Sequence, residues 1–242
     1  MDSIKLSEPA AELRAGNALR AAADVSVVMP LYNGARYVAE ALQSIFAQTV
    51  AFREIIVIDD GSEDSSVEVI EKFRGVTLVR KAHSGIIDTL NCGLARVSGE
   101  FVAFLDADDR WAPRKTEIQL QALHSEPHLS MVFGYTRRFL MTPDGERALD
   151  VMPGALKGSG LFRFDAFRRV GGFEAGKAHF IDWFARTREA GLSFKTQPEI
   201  VHERRIHDAN YGILQKDAQR KSYHAALKSM LDRRRQSLKL GS

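Results

Sequence analysis

FVAFLDADD, residues 101–109, is an apolar run that ends abruptly in acids. Its first five residues have the length and composition of a strand buried on both faces. Asp106, Asp108 and Asp109 follow at the point where such a strand reaches water. In an open α/β sheet, ligands bind in the crevice outside the carboxyl ends of the strands. We therefore expect these three acids to face a ligand and not the core.

Three carboxylates this close together repel one another unless a cation lies among them. Hard divalent ions such as Mg²⁺ or Mn²⁺ prefer oxygen ligands of this kind. The alternative is a polar turn that caps the next helix, because Asp is a good N-cap and Pro113 suits a first helical turn. The rest of the chain has to decide between these interpretations.

The segments before this strand alternate between buried strands and helical spacing. Strands are predicted at 25–29, 54–58, 76–79 and 101–105, with amphipathic helical runs between them. This alternation is typical of a mostly parallel α/β sheet covered on both faces by helices. In the second half, the run from His179 to Ala190 predicts a helix that ends at Gly191.

A second strand also ends in acids, because EIIVI at 54–58 is followed directly by Asp59 and Asp60. Two such strand ends meeting at one edge make a polar crevice with concentrated negative charge. A metal ion together with an anionic ligand, most simply a nucleotide diphosphate, would neutralise this charge.

Composition and charge limit the class of protein. The chain has 242 residues, of which 45% are hydrophobic and 27% charged, as in an ordinary globular protein, and we favour one large domain. Apolar runs fall far short of the roughly 20 residues of a membrane span, and the N-terminus has no signal-peptide core, so we expect a cytoplasmic protein. The lone Cys92 permits no internal disulfide.

The basic residues concentrate in the tail. Residues 214–242 carry eight Lys and Arg against two Asp, a net charge of +6, so that the chain total of +3 leaves −3 for the rest. An acidic body argues against nucleic-acid binding. Near-helical apolar spacing predicts a long amphipathic helix that packs on its own domain or on a second copy in a homodimer, or else contacts an acidic partner such as a membrane surface.

Several motifs occur in one order: VSVVMPLYNGARYVAEALQSIFAQT, EIIVIDDGSEDSS, GLARVSGEFVAFLDADD, SGLFRFDAFRRVGGFE and RRIHDAN. In these motifs the chain resembles the family 2 glycosyltransferases with the GT-A fold, over about residues 25–210. The resemblance implies a Rossmann-like, mostly parallel sheet with helices on both faces, and the apolar spacing of the tail adds a C-terminal helix. It also implies a metal-dependent, inverting transfer of sugar from a nucleotide-sugar, with a UDP-sugar favoured, to a glycan, lipid-linked or peptide acceptor.

On this reading the chain divides into a loosely ordered leader (1–23), a catalytic domain (24–212) and the basic helix (213–242). The catalytic domain has a nucleotide-binding half (24–110) and an acceptor half (111–212). The resemblance implies a nucleotide site formed by Pro30, Tyr32, Asn33, Asp59, Asp60, Asp106, Arg204 and Arg205, and a Mn²⁺ or Mg²⁺ site formed by Asp108, Asp109 and His207. It leaves open which of Asp108 and Asp109 binds the metal directly.

Finer roles follow from the same resemblance. Asp60 accepts a hydrogen bond from the base, Asp59 has a helix-capping alternative, and Asp106 suits the ribose or a metal-bound water. Many relatives carry an Ala-Arg-Asn stretch between the third and central strands whose arginine reaches the phosphates, and the corresponding residues here are DTLN at 88–91, without that arginine. The negative charge of the phosphates must then be balanced by the metal and by Arg204, Arg205 or Lys81.

The general base is the least defined role. Relatives commonly begin the helix at 179 with a Glu-Asp pair, here replaced by His179 and Phe180, and carry another Asp two residues later, which Asp182 matches. We expect Asp182 to take the acceptor proton, with Glu174 or His179 as alternatives. The lost pair also leaves open a catalytically silent nucleotide-sugar-binding or scaffold domain.

Overall fold

The computed structural model describes residues 22–174 and 178–207, together with Lys228 and Arg233. The predicted leader up to residue 21 and the predicted C-terminal helix, apart from those two residues, lie outside this part. No helix within the described ranges is long and apolar enough to cross a membrane.

Nine strands and six α-helices make up the fold. The strands are β1 (Ala22–Leu31), β2 (Ala51–Asp59), β3 (Val76–Arg80), β4 (Phe101–Phe104), β5 (Arg110–Trp111), β6 (Leu129–Thr142), β7 (Gly145–Met152), β8 (Gly160–Arg163) and β9 (Ser193–Ile206). The helices are α1 (Val38–Phe46), α2 (Ser66–Ile70), α3 (Ile86–Leu94), α4 (Lys115–Ser125), α5 (Phe164–Val170) and α6 (His179–Glu189), and a 3₁₀ helix spans Lys157–Ser159. These counts cover only the described ranges.

One sheet contains all nine strands in the order β3-β2-β1-β4-β8-β6-β9-β5, with β7 paired to β6. The first four strands are parallel, as their alternation with helices predicts. The second half is more antiparallel than predicted, because β8 runs against both β4 and β6, and β5 runs against β9. Only β6 and β9 pair in parallel there.

The first strand is longer than predicted at both ends. It begins at Ala22, so the last two residues of the predicted leader belong to the sheet, and it continues through Pro30 to Leu31. Pro30 is tolerated because β4 ends at Phe104, which pairs with Val28, and beyond that point β1 has a neighbour on one side only.

Two apolar clusters sandwich the sheet, since alternate residues of a strand point to opposite faces. On one face Val27 and Met29 of β1 pack with Leu42 of α1. On the other face Val28 and Phe104 pack with Trp183 of α6. Burial on both faces leaves the ends of the parallel strands as the place where their polar residues meet solvent.

Candidate functional site

The candidate site lies at the carboxyl ends of β1, β2 and β4, which are neighbours in the sheet. Backbone hydrogen bonds hold these ends in register, from Asp60 N to Leu31 O at 2.8 Å and from Leu105 N to Val28 O at 3.2 Å. The segments after these strands, which carry Tyr32, Asp60 and Asp106, are therefore brought together, as the sequence predicted.

At the β2 end, the Asp60 carboxylate binds the loop at 81–85. It accepts hydrogen bonds from the amides of Ser84 and Gly85, each at 2.9 Å, and pairs with the Lys81 ammonium at 2.5 Å. Burial alone would raise the pKa of Asp60, but these donors outweigh it and the pKa is lowered. An ionised acceptor thus lies beneath the loop, close to the ring of His83, whose Nδ1 is 3.0 Å from it.

Three other predicted nucleotide residues occupy different environments at the β1 and β2 ends. Tyr32 is 48% exposed, and its ring centroid lies 4.3 Å from that of His83. Asn33 has a positive φ of 48°, and its side chain accepts a hydrogen bond from the amide of Glu63. Pro30 is buried within β1. The Tyr32 and His83 rings make the surface on which a flat ligand could stack.

The structure does not bring the Asp59 carboxylate to the crevice surface. Asp59 is fully buried and accepts a hydrogen bond from the Ser62 amide at 3.1 Å, which closes the turn after β2. Asp59 therefore binds the local backbone beneath the crevice surface. Asp60, the next residue, is 3% exposed and binds the loop at 81–85 instead.

At the β4 end, Asp109 is also turned inward, whereas the sequence left open whether Asp108 or Asp109 binds the metal directly. It is 4% exposed and contacts β9. One oxygen accepts a hydrogen bond from the Arg205 amide at 3.0 Å, and the other lies 3.0 Å from Nε2 of His202. Nδ1 of His202 lies 3.1 Å from the Thr136 hydroxyl. Asp109 therefore fixes β9 to the acidic loop.

Asp108 is the acid of this pair that stays accessible, with 28% of its side chain exposed. Its Oδ2 lies 3.0 Å from Nε2 of His207, so the structure brings together two predicted metal ligands that are 99 residues apart. Burial, followed by the charges of Asp109 and Asp106, raises the pKa of Asp108. A cation at this point would relieve the unfavourable negative charge.

The donor set at Asp108 and His207 fits a divalent cation that shares its coordination with a ligand. Within the described part of the chain, no three His, Cys, Asp or Glu side chains converge as a metal cluster. Mg²⁺ is commonly held by one or two carboxylates plus substrate phosphates, and Mn²⁺ also accepts imidazole. Two protein ligands leave room for oxygens of a diphosphate.

The structure adds a residue that the sequence analysis missed. Lys157, in the 3₁₀ helix, is buried and its ammonium pairs with Oδ1 of Asp106. Burial would raise the pKa of Asp106, but the Lys157 charge and hydrogen bond outweigh it, and the pKa is lowered. Asp106 is thus held ionised at the base of the crevice, and 41% of its side chain remains exposed.

Arg205 does not face the diphosphate position that the sequence predicted. It is 3% exposed, and its guanidinium pairs with Glu40 of α1 at 2.5 Å. The same group lies between two aromatic rings, 4.9 Å from the Tyr37 centroid and 4.6 Å from that of Phe139. Arg204 is half-buried in β9 beside Arg138 of β6. Arg205 therefore anchors β9 to α1.

Asp182, the predicted base, is fully buried in α6. Its carboxylate pairs with Arg186 at 3.0 Å and with Arg233 at 3.2 Å, and an acid enclosed in this way does not reach an acceptor. Glu174 is exposed but lies 3.6 Å from Arg186 and lines a cavity of about 440 Å³ beside α3 and α5, which contains none of the three acids at the β4 end.

His179, the other alternative, is brought toward the β4 end. It is the first residue of α6, and its ring packs edge-on against Phe173, with centroids 5.6 Å apart. Burial, and then the nearby Lys157 charge, lowers the pKa of His179 to about 4, while Asp106 opposes this shift. The imidazole is therefore neutral at pH 7 and able to accept a proton.

One sequence signal bears on the missed lysine. Lys157 precedes Gly158 and Ser159 directly before β8, and a Cβ on Gly158 would come within 2.5 Å of the His202 ring. A glycine beside a polar residue at a strand start suggests a close backbone approach. Nothing in the sequence, however, pairs Lys157 with an acid 51 residues earlier.

Comparison with protein families gives one match over most of the described domain. The profile described as "Glycosyl transferase family 2" matches residues 26–187. The chain is 28% identical over 231 residues to the chondroitin synthase of Pasteurella multocida (strain Pm70), covering 88% of this chain and 24% of that protein. It is 27% identical to the hyaluronan synthase of Pasteurella multocida, covering 86% and 23%. It thus spans about a quarter of these relatives.

Solved structures share the fold at low sequence identity. Residues 1–349 of S. aureus TarS in complex with UDP-GlcNAc give a TM-score of 0.62 at 19% identity, covering 77% of this chain and 60% of that one. The mannosyltransferase PcManGT of Pyrobaculum calidifontis, in complex with GDP-Man and Mn²⁺, gives 0.61 at 20% identity, covering 79% and 59%.

Proposed function

Since the chain belongs to glycosyl transferase family 2 and has the GT-A fold, we propose that it is a glycosyltransferase. It would move a sugar from a nucleotide-sugar donor to an acceptor hydroxyl. The observation that carries this proposal is the joining of Asp108 and His207 at the same sheet edge as Asp60. The complexes of TarS with UDP-GlcNAc and of PcManGT with GDP-Man support a nucleotide-sugar as donor.

We favour a UDP-sugar because of the environment of Asp60. An ionised carboxylate accepts hydrogen bonds and donates none. Uracil and guanine present a ring N–H to such a group, whereas cytosine and adenine present a lone pair there. The exposed Tyr32 ring, packed on His83, is large enough to stack on a single pyrimidine ring.

Asp108 and His207 are the residues that would hold a Mn²⁺ or Mg²⁺ ion, and Asp109 supports them from beneath. When bound, such an ion stabilises the negative charge that develops on the departing diphosphate. Asp106 lies beside this position and would accept a hydrogen bond from the ribose or from a bound water. The Mn²⁺ in the PcManGT complex is consistent with this choice of metal.

For the acceptor side we propose an inverting transfer with His179 as general base. The acceptor oxygen forms a bond to the anomeric carbon, the bond from that carbon to the diphosphate oxygen breaks, and an imidazole nitrogen of His179 takes the hydroxyl proton. His179 is favoured over Asp182 because Asp182 is enclosed between Arg186 and Arg233. His179 instead lies close enough to Asp106 and Lys157 for their charges to shift its pKa.

Release of free nucleotide diphosphate tests the proposal directly. We expect the purified protein to hydrolyse one of a panel of nucleotide-sugars slowly with Mn²⁺ present, and to stop when the metal is chelated. A thermal-shift screen of the same panel identifies the donor. Glycan, lipid-linked and peptide acceptors added to the preferred donor then identify the acceptor class. No release from any donor, with or without acceptor, would contradict the proposal.

A second candidate is a catalytically silent domain that binds a nucleotide-sugar. Phe180 and the buried Asp182 favour it, because both stand where relatives place acids and neither offers a carboxylate to the crevice. Such a domain would show a thermal shift with the donor and no release of nucleotide. The domain limits at 24–212, a homodimer or membrane contact through the basic tail, and a cytoplasmic location remain predictions.

A further inference from the structure

Lys157 lies at the point where the two halves of the sheet meet. Its side chain is 9% exposed, and its ammonium pairs with Asp106, the first acid after β4. The ammonium also lies 6.0 Å from the centroid of the Phe104 ring. A lysine loses considerable side-chain entropy and hydration when it is buried, so a fixed position for its charge has to be supported by its surroundings.

The segment that carries Lys157 has such support. Trp111 Nε1 donates to Gly158 O at 2.9 Å, Gln119 Nε2 donates to Ser159 O at 2.7 Å, and Lys115 Nζ donates to Gly160 O at 3.0 Å. All of these side chains are buried. Together with the contact of Gly158 with the His202 ring, they fix the backbone from which Lys157 extends.

The ammonium also changes the charge balance of the acidic loop. Asp106, Asp108 and Asp109 lie within four consecutive residues and would carry three negative charges when ionised, and like charges this close together repel one another. The positive charge of Lys157 offsets one of these three negative charges. The remaining charge of −2 is equal in size to the charge of one divalent cation.

Other nearby cations are committed to different partners. Arg205 pairs with Glu40, and Lys81 pairs with Asp60 and Asp88. Among the described residues, Lys157 alone forms an ion pair with Asp106. Where relatives carry an arginine that reaches the phosphates, this chain has DTLN at 88–91, so a fixed positive charge at Lys157 has added weight.

We propose that Lys157 is a positioning residue that holds Asp106 in the crevice and offsets one negative charge of the acidic loop. The inference rests on the proposed function, because it assigns Lys157 a role toward the donor and metal site. It predicts that loss of the ammonium leaves the loop more negative. The loop then binds a bare cation more tightly, and it binds an anionic nucleotide less tightly.

The test is the affinity of the full chain for Mn²⁺ alone, measured by calorimetry in wild type, Lys157→Met and Lys157→Arg. Lys157→Met should bind Mn²⁺ about tenfold more tightly, as removal of one nearby charge predicts, and UDP in the presence of chelator several-fold more weakly. Lys157→Arg keeps the charge and should stay close to wild type. Unchanged or weaker Mn²⁺ binding in Lys157→Met would overturn the proposal.

Lys115→Met is the matched control, because it removes a buried lysine that supports the same segment and whose amino group binds the Gln119 side chain and the Gly160 carbonyl. If Lys157 acted only by holding the backbone, both Met variants should weaken Mn²⁺ binding alike. Opposite signs for the two variants support a charge effect.

A double-mutant cycle separates this inference from the proposed function. In chelator, thermal unfolding of Lys157→Met, Asp106→Asn and the double variant reports their coupling without any metal. We expect the double variant to recover at least half of the melting-temperature loss of Lys157→Met, because the unpaired acid has gone. Additive losses would overturn the pairing. If wild type bound no Mn²⁺ while the coupling persisted, the metal part of the proposed function would fail and the pairing would stand.

Discussion

The ends of β2 and β4 both carry consecutive acids, and they are organised in different ways. At the β2 end, Asp59 binds the following turn, and Asp60 binds the loop that leads from β3 to α3. All of these partners lie within about 25 residues along the chain. This end is therefore built by the nucleotide half alone.

At the β4 end, every acid is held by the other half. Asp106 pairs with Lys157, Asp108 with His207, and Asp109 with His202 and the Arg205 amide. These partners are 51 to 99 residues away in sequence. The comparison indicates that the proposed base-recognition site depends on local structure. The proposed metal and transfer site depends instead on contacts of residues 106–109 with β9, His207 and the 3₁₀ helix.

The largest effect is expected at Asp108. Asp108→Asn removes the accessible charge at the metal position, so turnover should fall by about 10³-fold and Mn²⁺ affinity should fall with it. Since Asp108 is partly exposed, the melting temperature should change little. Steady-state kinetics, calorimetry and thermal unfolding measure the three quantities.

Asp109→Asn is the matched control for that experiment. Because Asp109 is buried and accepts hydrogen bonds from β9, the substitution should lower the free energy of unfolding by about 1 to 3 kcal/mol. If Asp109→Asn loses turnover only at temperatures at which it unfolds, Asp109 supports the fold and does not bind the metal. Equal loss of Mn²⁺ affinity in both variants at low temperature would show that Asp109 binds the metal as well.

The next effect separates His179 from Asp182. His179→Ala should reduce turnover by about 10²-fold, at the lower end for a general base, since a pKa of about 4 makes a weak base. Asp182→Asn should keep its turnover and lose about 3 kcal/mol of stability, because it breaks a buried ion pair. If His179→Ala kept its turnover and Asp182→Asn lost it, Asp182 and not His179 would be the general base.

Asp60→Asn tests whether the β2 end is independent. Loss of the ionised acceptor should weaken donor binding by about 1 to 3 kcal/mol, since a buried hydrogen bond to a charged group is lost. Mn²⁺ affinity in the absence of nucleotide should not change. A parallel loss of Mn²⁺ affinity would show that the two strand ends are coupled, contrary to the comparison above.

The smallest effect concerns Lys115, beneath the β4 end. Burial lowers the pKa of Lys115 to about 7, so the folded state releases a proton that the unfolded state keeps up to about pH 10.5. The free energy of unfolding should therefore rise with pH between these values, by up to about 1.4 kcal/mol from pH 7.5 to 8.5. Lys115→Met should lack this rise. Urea unfolding of both proteins at the two pH values measures the difference, and identical slopes would contradict it.

Prediction from sequence worked where one short segment contains the whole signal. The apolar runs at 54–58 and 101–105 gave β2 and β4, and Gly191, with φ of 72°, follows the predicted helix α6. Prediction was wrong where the direction in which a side chain points depends on packing. Asp182 and Arg205 are of the residue types that bind substrates, yet each is turned into the protein by an ion pair.

The sequence by itself determined the family, the parallel strands of the nucleotide half, and the edge of the sheet at which the acids collect. It could do so because strand periodicity and the position of acids after a strand are properties of neighbouring residues. Only the tertiary structure decided that Asp108 stays accessible while Asp109 is buried, and that Lys157 pairs with Asp106. These choices rest on contacts between residues far apart in the chain, whose geometry is fixed by the pairing of β8 with β4 and β6 and of β9 with β5 and β6, and no local pattern encodes that pairing.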